Sequence, residues 1–86
     1  MYKVIVAPAA NEVLRKLDKF EEKRIIKALK KLAKRPYTVA KHLTKRDAWS
    51  LKVGLSGFRV IFRINENQKQ VNVVAIGRRR NIYDKI

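Results

Sequence analysis

Lys52 and Arg59 are the first residues of this sequence whose placement asks for a chemical explanation. The runs 48–54 and 56–65 both alternate as strands do, with the turn residues Leu55-Ser56-Gly57 between them. One register sets Trp49 opposite Phe62, Leu51 opposite Val60 and Val53 opposite Phe58, apolar against apolar. The same register sets Ser50 opposite Ile61 and Lys52 opposite Arg59 on the other face. Like charges directly opposite one another destabilise a strand pair. Either the two long side chains diverge into water, or an anion lies between them. The segment Gly77-Arg78-Arg79-Arg80-Asn81-Ile82-Tyr83 leaves the next strand at the same end of the sheet. It brings more cations and a phenol to that rim, a set able to hold a phosphate and move a proton.

The remaining elements must position this rim. Residues 2–7 alternate as a strand, and Pro8 stands where a first helical residue would be. Ala10, Val13, Leu14 and Leu17 then recur at helical spacing. Asp18 with Glu21 three residues later forms a capping-box-like start to a second helix. There Ile25, Ala28, Leu29 and Leu32 repeat the spacing until Pro36 stops it. Lys23, Lys27, Lys30 and Lys34 fall on the opposite face of that helix and turn to water or a partner. Residues 37–47 show no clear period and read as a loop holding Lys41, His42, Lys45 and Arg46. A third strand-like run, 70–77, matches Ile64 with Val71, Phe62 with Val73 and Val60 with Ala75. The predicted order is β-α-α-β-β-β, an α+β domain spanning 1–86 as one unit. Its antiparallel sheet carries a two-helix hairpin on one face; the place of the first strand stays open.

The chain has 22 Lys and Arg against 7 Asp and Glu, a net charge of +15 over 86 residues. That imbalance repels itself, and a polyanionic partner is the natural compensation. No apolar run approaches the length of a membrane span. The N-terminal strand lacks a signal-peptide pattern, so a cytoplasmic location is expected. There is no cysteine for a disulfide or thiolate site. The seven acids are scattered without metal-ligand spacing, so neither metal nor other cofactor is expected. His42, alone in a basic loop, reads as a solvent or RNA-backbone contact. Trp49, Phe58 and Phe62 pair on the apolar face and read as core rather than base-stacking platforms.

Trp49-Ser50-Leu51-Lys52-Val53-Gly54, Gly57-Phe58-Arg59-Val60-Ile61-Phe62, Ile76-Gly77-Arg78-Arg79-Arg80 and Ile82-Tyr83 together resemble the RelE/ParE toxin superfamily, and its RelE branch in particular. The helix hairpin and Pro36 fit the same pattern, so the resemblance covers essentially the whole chain. It implies a RelE-like fold and a metal-free endoribonuclease, an mRNA interferase that acts on the ribosome. It makes Lys52 and Tyr83 candidates for activating the nucleophile. Arg59 and Arg79 would stabilise charge on the phosphate or leaving group. Strict strand alternation instead puts Arg78 on the face of Lys52 and Arg59. One departure is Ser50, where nuclease members often carry a second Lys.

Cutting RNA without a metal requires a deprotonated 2′-hydroxyl, stabilised charge on the phosphorus oxygens and a neutralised 5′-oxygen. Lysine and tyrosine ordinarily titrate near ~10, and clustered positive charge lowers both. Arginine fits phosphate oxygens in a fork. The resemblance further implies an acidic, RelB-like antitoxin as partner, beside the ribosome and mRNA, and no membrane. Lys23, Lys27, Lys30, Lys34, Lys41, Lys45, Arg46, Arg78 and Arg80 are the candidate RNA- and ribosome-binding cations. Two other functions compete: a ParE-like toxin acting by protein binding, and a basic RNA- or ribosome-binding protein without catalysis.

Overall fold

The computed structural model describes residues 1–54 and 57–82, with Arg80 by its backbone only. Its elements are β1 (Lys3–Val6), α1 (Pro8–Lys16), α2 (Lys19–Lys34), α3 (Pro36–Val39), β2 (Lys41–Leu43), β3 (Ala48–Val53), β4 (Phe58–Asn65), β5 (Gln70–Arg78) and α4 (Arg79–Ile82). Local chemistry sets several of these boundaries. Pro8 occupies the first turn of α1, where its missing N–H is not needed. Asp18 caps α2 by accepting the Glu21 N–H at 2.8 Å. Arg35, forced out of helical geometry by the following proline, ends α2. Pro36 then opens α3. The expected loop over 37–47 is therefore in part regular structure. Thr38 and Val39 lie in α3, Lys41 and His42 lie in β2, and Lys45 and Arg46 sit in the turn at 44–47.

The sheet order is β1-β5-β4-β3-β2. The meander β3-β4-β5 is antiparallel, β2 extends it antiparallel beside β3, and β1 joins β5 in parallel at the far edge. The sheet is thus mixed. Leu14 on α1 and Ile25 and Leu32 on α2 pack with Leu51, Val60, Phe62, Val71 and Val73 into the principal core on one face. Trp49 is only half-buried at its margin, in edge contact with Tyr37 at 5.3 Å and beside His42 at 4.9 Å between ring centroids. Among the described residues no helix is long and apolar enough to cross a membrane.

The β3–β4 register is the one expected, Lys52 opposite Arg59 included. In the next hairpin Ile64 meets Val71 and Phe62 meets Val73, but Val60 meets Ile76 and not Ala75. Ala75 pairs Ile61 instead, so Val74 is an extra residue, a β-bulge.

A carboxylate ties three segments together at the end of the sheet remote from Lys52. The Tyr2 hydroxyl donates to Glu66 Oε2 at 2.7 Å, the Tyr37 hydroxyl donates to the same oxygen, and Lys69 Nζ lies 2.7 Å from Oε1. Lys69 first, then Tyr37 and Tyr2, hold the Glu66 carboxyl at about 2, below the ordinary 4.5. The Glu66 carboxylate in turn pushes Tyr37 up to about 12. A depressed folded value means that the stabilisation is complete above about pH 4.5 and is lost as pH falls toward 2. The melting temperature should therefore fall across that window in the parent protein and fall less in Glu66→Gln. Parallel melting curves of parent and variant from pH 5 to 2 would show that this exposed cluster contributes nothing.

Candidate active site

The face of the sheet away from α1 and α2 takes its side chains from alternate strand positions. On β3 these are Ala48, Ser50 and Lys52, and on β4 their neighbours Ile61 and Arg59. β2 adds Lys41 opposite Ser50 and Leu43 opposite Ala48. On β5 the bulge decides the matter. Before it, Val71 and Val73 point into the helix-side core; after it, Ile76 does so and Ala75 turns to the other face. The change of phase carries Arg79 to the face of Lys52 and Arg59. Arg78 goes the other way, its guanidinium 4.7 Å from the centre of the Phe58 ring. The Arg79 N–H donates to the Gly57 carbonyl at 2.9 Å, which ties the exit of β5 to the β3–β4 turn.

On this face Leu43, Ser50, Lys52, Arg59 and Arg79 border a groove of about 450 Å³. Lys41, Lys52, Arg59 and Arg79 supply its charge, Ser50 its floor, and Thr38, Val39 and Ala40 a wall. No acidic side chain lines it among the described residues, so its field favours an anion. Ser50 is 8% exposed and is the one buried polar residue of the described chain. It offers a hydroxyl where a second Lys would have added a charge.

A second, small core holds this face together. Ile82 of α4 is 1% exposed and packs with Ala48, Ile61 and Ala75. Gly77 makes room for it: a Cβ there would lie 3.1 Å from Ile82 Cδ1. The strand-like run expected over 70–77 extends one residue further, through Arg78. Ile82→Ala should cost about 2–5 kcal/mol, the usual range for emptying a buried isoleucine site. Urea unfolding measures it, and a loss under about 0.5 kcal/mol, the size of an ordinary surface change, would mean that α4 is not held by this seat.

Of the cations expected to contact RNA, Lys41 lines this groove, while Lys23, Lys27, Lys30 and Lys34 lie along α2 and Lys45 and Arg46 are exposed in the turn. Tyr83 and the turn residues Leu55 and Ser56 lie outside the described residues. Sequence reasoning passed over the wall from α3 and the contribution of Leu43. The only signal for them was Pro36 at a helix start, followed by the short apolar pair Val39-Ala40.

The comparisons with known proteins agree with this architecture. The toxin-antitoxin complex RelBE2 of Mycobacterium tuberculosis matches with a TM-score of 0.81 at 22% identity, covering 91% of this chain and 98% of that one. The intact RelBE toxin-antitoxin complex of Escherichia coli matches with a TM-score of 0.80 at 22% identity, covering 91% and 96%. The fold is that of the RelE toxins. The model of the family described as ParE toxin of type II toxin-antitoxin system, parDE, matches residues 4–83. Over 79 residues the chain is also 32% identical to a RelE-like toxin protein of E. coli, covering 91% of this chain and 83% of that protein. The chain belongs to the ParE toxin family, within the RelE/ParE superfamily of type II toxin-antitoxin toxins.

Proposed function

We propose that this toxin is a ribosome-dependent endoribonuclease that cuts mRNA by metal-free attack of the 2′-hydroxyl on the adjacent phosphate. The observation that carries the proposal is the convergence of Lys52, Arg59 and Arg79 on one acid-free groove, with a β-bulge turning Arg79 onto that face. Fixed guanidinium groups at a phosphate stabilise the charge that grows on its oxygens in the transition state. Lys52 and Tyr83 are the candidates for taking the 2′-proton, and a message held by the ribosome is already oriented for in-line attack. The RelE-like relative supports this branch of the superfamily. Adding the protein to translating ribosomes and mapping message 5′ ends tests it: new ends within codons are expected, and an unchanged map contradicts it.

Ser50 and the match to the ParE family model favour a second reading, a toxin that acts by binding a protein target and does not cut RNA. It predicts that growth arrest survives the loss of Arg79 and that messages stay intact.

On the first reading, the cations of α2 and of the turn at 44–47 hold the ribosome or RNA electrostatically. Affinity should then fall steeply with added salt as counterions are released. A binding constant that stays flat between about 50 and 200 mM salt would contradict it. The charge of +15 further implies an acidic antitoxin of RelB type that keeps the toxin in complex in the cytoplasm. Copurification from the native host tests that partner.

A further inference from the structure

A second groove, of about 380 Å³, runs between α2 and β3 on the helix side of the sheet. Arg24, Lys27 and Lys31 line it from α2, and Leu51 and Val53 form its floor. Its charges are as unopposed as those of the first groove: no acidic side chain lines it among the described residues. The Arg24 guanidinium lies over the Phe20 ring, 4.5 Å from its centre.

The two grooves meet at Lys52, which lines both. The meeting point exists because β2 is short. It pairs with β3 only at Ala48, Trp49 and Ser50, so β2 does not reach along β3 to Lys52, where the two grooves adjoin. A chain lying against Lys52 in the first groove can pass directly into the second.

The spacing of the helix cations fits such a chain. Arg24, Lys27 and Lys31 fall on one stripe of α2, and at 1.5 Å per residue they span about 10 Å, roughly three nucleotides of a stacked single strand. The stripe lies between the buried face of Ile25 and Leu32 and the outward face of Lys23, Lys30 and Lys34.

We propose that the groove of Arg24, Lys27 and Lys31 is a flanking subsite for single-stranded RNA, holding the phosphates of about three nucleotides beyond those in the Lys52–Arg59–Arg79 groove. It rests on the reading of the first groove as an RNA site. The contacts are to phosphates, over a floor of Leu51 and Val53 with no aromatic among the described lining residues, so the subsite positions the strand without reading its bases.

The test uses the full chain and 2′-O-methyl oligouridylates, whose blocked 2′-oxygens prevent cleavage. Dissociation constants are measured for a dimer and a hexamer with the parent protein, with Arg24→Gln/Lys31→Gln, and with Lys16→Gln/Lys19→Gln as a control of equal charge loss. All four positions are exposed, so the fold tolerates the changes. The first pair should weaken the hexamer about 10-fold and lower the log–log salt slope by about 1.4, while changing the dimer by less than about 2-fold. The control pair should change both less than about 2-fold. Equal losses for dimer and hexamer, or equal losses in the two variants, would overturn the subsite in favour of a diffuse field. Full RNA affinity in the first pair, with lost binding of an acidic amphipathic peptide, would overturn it in favour of a protein-docking groove. A parent protein that shows the expected length dependence yet leaves ribosome-held message uncut would support the subsite and contradict only the nuclease reading.

Discussion

Arg79→Ala is expected to slow cleavage of ribosome-held message on the order of 10²-fold or more, the typical size of losing one preorganised charge stabiliser. The melting temperature should stay constant or rise slightly. Both halves follow from the groove. Arg79 is exposed and shares its face with Lys41, Lys52 and Arg59, so among the described residues of the groove its charge meets only other cations. Its backbone is fixed by the N–H bond to the Gly57 carbonyl, which alanine keeps. Arg59→Ala should behave alike. Arg78→Ala is the informative contrast, because its guanidinium lies over Phe58 on the other side of the sheet. It should leave the chemical step within a few-fold of the parent. Single-turnover rates on stalled ribosomes measure all three, and an Arg78 effect exceeding that of Arg79 would contradict the charge-stabilising role proposed for Arg79.

The second large effect concerns the substrate's setting. The same message free in solution should be cut more slowly than on the ribosome by on the order of 10⁴-fold or more, within what orientation alone can supply. The groove holds cations in plenty, but its one described candidate base is a lysine, and its buried polar floor is a serine. Such a site stabilises charge well and moves protons poorly, so correct orientation of the 2′-oxygen has to supply much of the rate. A nuclease equipped with a stronger acid and base pair would lose far less in free solution. Comparing initial rates on one labelled message, free and programmed in the ribosome, measures the ratio. Rates within about 10-fold of each other would mean that the protein orients its own substrate.

Much of this arrangement was legible in the residues because strand pairing is a local rule. The alternation around Leu55-Ser56-Gly57 fixed which side chains meet across β3 and β4, and hence the Lys52–Arg59 pair. The helix hairpin followed from the Asp18 cap and from Pro36, both of which act within a few residues. What was not legible depends on contacts distant in sequence. Val73-Val74-Ala75-Ile76 is apolar throughout, so no alternation marks where the extra residue sits. The bulge is intelligible only once Ala75 and Ile61 are seen to share the second small core with Ile82. With that core missing from view, simple alternation assigned the face to Arg78, whereas the family resemblance named Arg79. The parallel edge position of β1 beside β5 likewise has no local signature. α3 and β2 escaped because three or four residues are too few to show a period, although they build one wall of the groove.

The chemical ends of the cut message test the central claim most directly. Attack by the neighbouring 2′-oxygen leaves a 2′,3′-cyclic phosphate upstream and a 5′-hydroxyl downstream. Message cut on translating ribosomes by the parent protein should carry those ends, at sites absent from the Arg59→Ala and Arg79→Ala reactions. A 5′-phosphate with a 3′-hydroxyl would require an activated water, as metal sites supply. Such ends would contradict the roles assigned to Lys52, Arg59 and Arg79.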